Sequence, residues 1–318
     1  SMLVRAAPRL VGAHGRQRLS ILIYHRVHPE PDYMRPSDPT VEQFDWQMKL
    51  LRQYFEPMPL INALQHLDSG TLPERAVCVT FDDGYADNAT LALPVLRKWA
   101  VPATFFVSSD YLDGGFMWND RVIETLKASK RADIDAGCVG LGRLSLETAA
   151  LRKEAAKRIL RAIKHWDPEE RGDAVMALTG PGPAEPASLM MTSAQLRKLR
   201  SAGMAIGGHT ASHPILCSLG LDEAEREIIG GKKALEAILD EPVSLFAYPN
   251  GRVGTDFERE HAYLVRKAGF VAAVTTHKGV SDSTTDRWHL PRYTPWERTP
   301  GKFLLKLLLN LGDTLDPL

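Results

Sequence analysis

Short apolar runs alternate along this chain with longer segments in which apolar residues recur at helical spacing. The apolar runs are predicted strands, and they cover residues 19–24, 76–81, 103–107, 204–208, 243–247 and 271–275. The segments with helical periodicity cover residues 41–54, 90–99, 193–201, 222–239 and 256–267. A strand followed by a helix, repeated several times, predicts parallel strands joined by crossover helices.

Polar side chains stand directly after these predicted strands. They are His25, Asp82, Asp83, His209 and the turn at 248–250. The carboxyl ends of parallel strands meet on one face, and in a β/α barrel that face carries the active site. The pattern therefore predicts a β/α barrel. An open doubly wound sheet also binds ligands at its strand carboxyl ends and is the alternative.

Residues 118–190 interrupt the alternation of strands and helices. The stretch 137–142 is rich in glycine, 146–166 is strongly helical, and 180–183 reads Gly-Pro-Gly-Pro. We interpret this region as an insertion of one or two helices on the barrel rim, without a core of its own. The whole chain, residues 1–318, is then predicted to form a single domain.

The bulk composition excludes some classes of protein. Lys plus Arg and Asp plus Glu both number 39, and a net charge of zero disfavours a nucleic-acid partner. No stretch reaches the ~20 apolar residues of a membrane span, and no apolar run of signal-peptide length is visible. This predicts a cytoplasmic protein without an integral membrane segment. An amphipathic helix at 302–309 is expected to pack on the barrel, with dimer or membrane-surface contact as the alternative; composition does not indicate an oligomeric state.

Asp82 and Asp83 are two adjacent carboxylates at the mouth of the predicted strand 76–81. They repel each other, so folding gains nothing from the pair. Such an arrangement is typical of a site where a cation or a proton-transfer task holds the acids.

A second polar cluster, His209 and His213, can complete a metal site with one of these acids. Two imidazoles four residues apart can converge on one metal, and a carboxylate supplies a third ligand. One Asp and two His leave a coordination position open for water, which is the catalytic rather than the structural arrangement. The residues therefore predict a metal-dependent hydrolase.

The run 80–84 (Thr-Phe-Asp-Asp-Gly), followed by 209–213 (His-Thr-Ala-Ser-His), resembles the polysaccharide deacetylase family, carbohydrate esterase family 4 (NodB-like), over roughly residues 19–295. The resemblance implies an α/β fold, a distorted (β/α)7 TIM-like barrel, that removes N-acetyl groups from amino sugars. It implies Asp82 as the catalytic base and a metal held by Asp83, His209 and His213. The metal is usually zinc, although another divalent transition metal suits the same ligands. Asp82 alternatively only orients a metal ligand.

Two later motifs differ from the commonest family pattern. The run 246–251 reads Phe-Ala-Tyr-Pro-Asn-Gly, so Ala247 stands where an arginine usually orients the base. Arg292 is a candidate replacement that would pair with Asp82; the alternative is a surface ion pair. The C-terminal Leu-x-x-His that normally supplies the catalytic acid is not recognisable.

The run 21–27 (Ile-Leu-Ile-Tyr-His-Arg-Val) is similar to the N-terminal strand of the poly-N-acetylglucosamine deacetylases of biofilm systems. In that branch the acid histidine comes from the start of the chain, which points here to His25. The first and last strands of a closed barrel are neighbours, so His25 can face the common pocket. His277 and His289 are the alternative acids.

Arg292 and four further residues are candidates for contacts with the substrate. A backbone N–H in the turn that holds Tyr248 and Asn250 would stabilise the oxyanion. Trp118 and Asn119 would stack on a sugar ring and bind its hydroxyls, or else Asn119 or Asp120 is a helix N-cap.

We therefore expect a zinc-dependent N-deacetylase whose partner is an N-acetylated glycan or glycan precursor, with water activated by the metal, Asp82 as base and His25 as acid. A cytoplasmic enzyme would not meet a secreted polymer, which favours a precursor. Two alternatives remain. One is an amidase or deformylase of the same fold that acts on a non-polymeric amide, and the other is a non-catalytic carbohydrate-binding protein.

Overall fold

A computed structural model describes residues 17–180 and 189–312 of the chain. Its main sheet has seven parallel strands in the order β1-β3-β4-β7-β8-β9, with β2 beside β3. These strands are β1 (Ser20–Tyr24), β2 (Glu56–Pro57), β3 (Ala76–Phe81), β4 (Ala103–Val107), β7 (Ala205–Gly208), β8 (Leu245–Ala247) and β9 (Ala272–Val274). The sheet curls with helices packed around it, which confirms the predicted α/β, distorted TIM-like barrel.

The segment 290–293 connects the two ends of the curled sheet. On one side Leu290 pairs with Val274 of β9, and on the other Tyr293 pairs with Leu22 of β1, both in parallel. The Tyr293 N–H donates to the Ile21 carbonyl at 2.7 Å, and the Ile23 N–H donates to the Tyr293 carbonyl at 3.1 Å. The N-terminal strand and the C-terminal part of the chain are therefore neighbours, as a barrel requires.

The helices are α1 (Val41–Tyr54), α2 (Leu60–Ser69), α3 (Leu93–Lys98), α4 (Trp118–Ala128), α5 (Ala149–Ile163), α6 (Pro168–Thr179), α7 (Ser193–Ser201), α8 (Leu221–Leu239), α9 (Arg259–Lys267) and α10 (Pro300–Gly312). Capping boxes fix the starts of α1, by Thr40 and Gln43, and of α7, by Thr192 and Gln195. The sequence prediction missed α2, although its buried residues have helical spacing: Leu60, Ala63, Leu64 and Leu67.

The insertion has a hydrophobic cluster of its own, so the expectation that it lacks a core was wrong. Helix α5 packs Ile159 and Ile163 into a cluster that includes Val122 and Leu126 of α4 and residues of α6. The antiparallel strands β5 (Asp133–Asp135) and β6 (Arg143–Ser145) lie between α4 and α5. The sequence prediction failed because it judged the glycine-rich stretch separately from the helices that cover it. Residues 181–188 of the predicted insertion lie outside the described residues.

Helix α10 packs against the barrel, which is the favoured of the two interpretations of this segment. Phe303 and Leu307 are fully buried in the main core, and the Phe303 ring meets Trp46 edge-on. Leu305 and Leu309 stay exposed on its outer side. None of the helices in the described ranges is long and apolar enough to cross a bilayer.

Candidate metal centre and active site

The two acids leave β3 through a strained turn. Asp83 has φ 77° and Gly84 has φ 94°, and a Cβ at Gly84 would lie 2.9 Å from Cγ1 of Val107. A non-glycine residue in the left-handed region is costly and occurs mainly where a site requires it. The turn allows the carboxylates of two consecutive residues, Asp82 and Asp83, to be buried at the carboxyl end of the sheet.

Asp83, His209 and His213 form a group that can hold a metal ion. Oδ1 of Asp83 lies 3.3 Å from Nε2 of His209 and 3.3 Å from Nε2 of His213, and the three ligand atoms all fall within 4.8 Å of one another. Nδ1 of His209 donates to the Ala247 carbonyl at 2.7 Å. This bond selects the tautomer whose Nε2 lone pair is free to bind a metal. A carboxylate and two imidazoles oriented in this way suit a divalent transition metal.

Helix α8 holds the loop that carries both histidines. The Glu227 carboxylate accepts hydrogen bonds from the backbone N–H groups of Ala211 and Ser212, at 3.0 and 2.8 Å, and from the Ser212 hydroxyl at 2.7 Å. A Cβ at Gly231 would lie 2.4 Å from the Thr210 carbonyl oxygen, so the helix packs tightly against the loop. Sequence reasoning missed Glu227 and Gly231. Their only signal was four-residue spacing on one face of the helix that follows the motif.

The surroundings of both carboxylates favour their ionised forms. Burial alone would raise the pKa of Asp83, but contacts with the imidazoles of His209 and His213 hold it well below its usual range. Burial likewise opposes ionisation of Asp82, and the charge of Arg292 lowers the pKa of this carboxyl below its ordinary value. The site therefore concentrates negative charge that a cation would compensate.

Arg292 forms a buried pair with Asp82 and not a surface ion pair. Nη1 and Nη2 reach Oδ1 and Oδ2 of Asp82 at 2.7 and 2.6 Å, and Nε donates to the Thr275 carbonyl at 2.8 Å. Only 1 % of Arg292 is exposed. These partners take most of its N–H groups, so the structure places Arg292 behind Asp82. A direct contact of Arg292 with substrate stays a prediction.

His25 follows β1 and Asp82 follows β3. The two residues lie side by side at the carboxyl end of the sheet, because the register pairs Tyr24 with Phe81. The backbone N–H of Asp82 donates to the Tyr24 carbonyl at 3.0 Å, and the charge of His25 contributes to lowering the pKa of both acids. His25 is thus next to the acid pair.

Asp87 and Asn88 hold the backbone around His25 in place through hydrogen bonds. Nδ2 of Asn88 donates to the His25 carbonyl at 2.9 Å, and the Asp87 carboxylate accepts from Nε of Arg26 at 2.8 Å and from the Val27 N–H at 3.1 Å. A π-helical turn begins at Asn88 (Asn88–Ala92), a conformation found often at functional sites.

The other two histidine candidates have different surroundings. His277 is exposed after β9. Nδ1 of His289 lies 2.8 Å from Oδ2 of Asp286, and its ring stacks on Phe257.

The residues predicted to contact substrate lie at two places. Tyr248 is fully buried with its ring stacked 3.6 Å from that of Phe257, whereas Asn250 is half-buried with φ 59°. Trp118 and Asn119 form the first turn of α4. The N-cap of that helix is Met117, so neither Asn119 nor Asp120 is the cap. Nothing in the geometry tests sugar contacts by these four residues, which remain predictions.

Comparison with known proteins agrees with this fold. The family model described as polysaccharide deacetylase matches residues 69–273. YxkH of Bacillus subtilis (strain 168), whose name places it with polysaccharide deacetylases, is 21 % identical over 277 residues, covering 86 % of this chain and 70 % of the relative.

Several solved structures are similar over nearly the whole chain. The deacetylase PplD of Streptococcus pyogenes, in complex with acetate, has a TM-score of 0.62 at 18 % identity, covering 92 % of this chain and 99 % of its own. IcaB from Ammonifex degensii has a TM-score of 0.60 at 19 % identity, covering 93 % and 98 %. At such identities the likeness concerns the fold.

Proposed function

The chain belongs to the polysaccharide deacetylase family, and we propose that it removes the N-acetyl group from an amino sugar of a glycan or glycan precursor by metal-dependent hydrolysis. The convergence of Asp83, His209 and His213 beside a second carboxylate, Asp82, is the observation that carries this proposal. A catalytic site of this class needs a metal position and an adjacent base.

The metal would be held by Asp83, His209 and His213, and zinc suits this donor set best. A bound Zn²⁺ lowers the pKa of water to about 7 and opposes negative charge on an amide oxygen. Two contacts keep the imidazoles oriented toward the metal position. His209 donates a hydrogen bond to the Ala247 carbonyl, and Glu227 accepts hydrogen bonds from the histidine loop.

Asp82 is the proposed base, because it is an ionised carboxylate directly beside a proposed ligand. Its bidentate pairing with Arg292 fixes the orientation of the carboxylate and keeps it ionised at neutral pH. In this state it can accept a proton from the attacking water.

His25 is the proposed acid. Amide cleavage requires protonation of the leaving nitrogen, because an amine anion is a poor leaving group. His25 and Asp82 leave paired neighbouring strands at one level, so the donor and the acceptor would flank the same carbonyl. A backbone N–H of the turn at Asn250 would provide the oxyanion contact, and Trp118 with Asn119 would contact the sugar.

The direct test measures acetate release from N-acetylglucosamine oligomers by zinc-loaded protein. We expect release to stop after chelation and to return when Zn²⁺ is restored. A panel of formamides and non-sugar acetamides, assayed in parallel, separates a deacetylase from an amidase. Absence of turnover on every acylated amino sugar by metal-loaded protein would exclude the proposed activity. Binding of the oligomers without turnover would indicate a carbohydrate-binding protein.

A further inference from the structure

Arg171 of α6 is a buried cation that has no acidic partner in the part of the chain that the structure describes. Only 6 % of it is exposed, and burial lowers its pKa. Across residues 17–180 and 189–312, no carboxylate oxygen lies within salt-bridge distance of its guanidinium. Within these ranges its guanidinium donates a hydrogen bond from Nη1 to the Lys164 carbonyl at 3.2 Å. A buried charge of this kind is costly unless something compensates it.

Three other arginines with largely buried side chains pair with carboxylates in the described ranges. Arg26 binds Asp87 at 2.8 Å, Arg35 binds Asp120 at 2.7 Å, and Arg292 binds Asp82 at 2.6 Å. Arg171 has Asp167 nearby, but the Asp167 carboxylate caps α6 by accepting the backbone N–H groups of Glu169 and Glu170. Arg171 thus differs from these three arginines, because no carboxylate of the described ranges lies within salt-bridge distance of it.

The surroundings of Arg171 place it on the wall between the insertion and the metal centre. Its guanidinium carbon lies 4.8 Å from the centroid of the Trp118 ring. Its other electrostatic neighbour is Tyr111, whose hydroxyl donates at 2.8 Å to the carbonyl of Ser212, the residue before the proposed ligand His213. The Oδ1 of Asn119, next to Trp118, is buried and has no hydrogen-bond partner in the described part of the chain.

The wall formed by Tyr111, Trp118, Asn119 and Arg171 is held in place from both sides. The Tyr111 hydroxyl ties it to the histidine loop, and Nζ of Lys164 reaches Oδ1 of the buried Asp256, after β8, at 3.3 Å. An indole face packed against a guanidinium restricts the motion of the guanidinium. The N–H groups at the edge of the guanidinium remain able to bind a ligand. The set combines a cation, an aromatic ring and a buried acceptor oxygen that has no partner among the described residues.

We propose that Arg171 binds an oxyanion, a phosphate or carboxylate group, carried by the glycan next to the sugar that is deacetylated. The inference rests on the proposed function and adds that the natural substrate is an acidic glycan. A planar guanidinium with free N–H groups matches the two oxygens of a carboxylate or phosphate, and binding would supply the missing counter-charge. Trp118 would then act as the support of the arginine as well as a contact for sugar.

The test compares three probes with the zinc-loaded enzyme. N-acetylchitotetraose is neutral, an oligosaccharide that alternates glucuronate with N-acetylglucosamine carries carboxylates, and an N-acetylglucosamine oligomer with a terminal 1-phosphate carries a phosphate. We expect one of the anionic probes to bind about 10- to 100-fold more tightly than the neutral one, the size of a charged hydrogen-bonded contact. The preferred probe identifies which oxyanion is recognised, and the preference should weaken as salt is added.

Arg171→Gln should abolish this preference through KM and leave kcat on the neutral oligomer within about twofold, since the proposed reacting groups are untouched. Arg171→Lys keeps the positive charge but loses the paired N–H donors of the guanidinium, so it should retain an intermediate preference for the anionic probe. Arg158→Gln, an exposed position on α5, is the matched control. Thermal unfolding of each variant reports whether loss of the Lys164 contact destabilises the insertion.

Equal affinity of the wild-type enzyme for all three probes would overturn the inference, with no variant needed. An anionic preference that survives in Arg171→Gln would also overturn it. If no probe is deacetylated, the proposed function fails, but calorimetric binding of the same probes still decides whether Arg171 recognises an oxyanion.

Discussion

The guanidinium of Arg292 donates hydrogen bonds to both oxygens of the Asp82 carboxylate, although 210 positions in the sequence separate the two residues. The position where an arginine usually orients the base holds Ala247, whose carbonyl instead fixes the imidazole of His209. We therefore propose that Arg292, from the segment 290–293, fills the role of the arginine that Ala247 replaces.

Arg292→Met should destabilise the protein strongly, because it leaves Asp82 buried as an unpaired charge. The expected loss in the free energy of unfolding is about 3–5 kcal/mol, measured by urea denaturation. The control is Arg287→Met, which removes a largely exposed pair with Asp68 and should cost less than about 1 kcal/mol. Adding Asp82→Asn to Arg292→Met should restore part of the stability; equal losses in both single arginine variants would contradict this role.

Asp82→Asn tests the base. Asparagine keeps the shape of the side chain but cannot accept the proton, so kcat should fall by about 10²–10⁴. Metal content measured by elemental analysis should remain at the wild-type level, because Asp82 is not a proposed ligand. Turnover close to that of the wild type would assign the base role elsewhere.

His213→Ala tests the ligand set. Two remaining ligands bind a divalent ion far less well than three, so the variant should lose its metal on dialysis and its activity as a consequence. His277→Ala, at an exposed position after β9, is the control and should keep the metal. A full equivalent of metal retained by His213→Ala would show that the ligand assignment is wrong.

Glu227→Gln tests the support of the histidine loop. The substitution exchanges one acceptor oxygen for a donor NH₂ group that the loop cannot satisfy, so the imidazoles should lose part of their orientation. Metal affinity should fall by about 10- to 100-fold, the usual effect of losing such a supporting contact, although no ligand is removed. Glu223→Gln, exposed on the same helix, should leave the affinity unchanged; the same result for both variants would argue against a positioning role.

His25→Ala tests the acid. An amide nitrogen needs a proton in order to leave, whereas the leaving group of an activated ester does not. The variant should retain metal and lose far more activity on N-acetylated sugars than on 4-nitrophenyl acetate. Equal losses on the two substrates would refute the acid role and make His277 the next residue to examine.

Local patterns in the sequence were sufficient for the strands and for the two motifs. The strands 76–81 and 103–107 coincide with β3 and β4 because each is an uninterrupted apolar run bounded by polar or turn residues. The acid pair and the two histidines are each close in sequence, so their spacing already implies a shared site. Contacts across long separations were not predictable in this way. Glu227 and Arg171 are ordinary charged residues of helices until the packing shows what they contact. Glu227 holds the histidine loop, and Arg171 is buried without a counter-charge among residues 17–180 and 189–312.

The connection of the two sheet ends by the segment 290–293 has a consequence for the order of events during synthesis. The ribosome delivers Asp82 and its neighbours long before Arg292, so the growing chain carries the acid pair without the cation that later compensates one of its charges. Nascent chains fold progressively from the N-terminus, but here the last segment of the barrel also supplies the partner of Asp82, the proposed base. The proposed catalytic face is therefore complete only after the C-terminal segment has docked. An assembled site can form only in a chain whose barrel has closed.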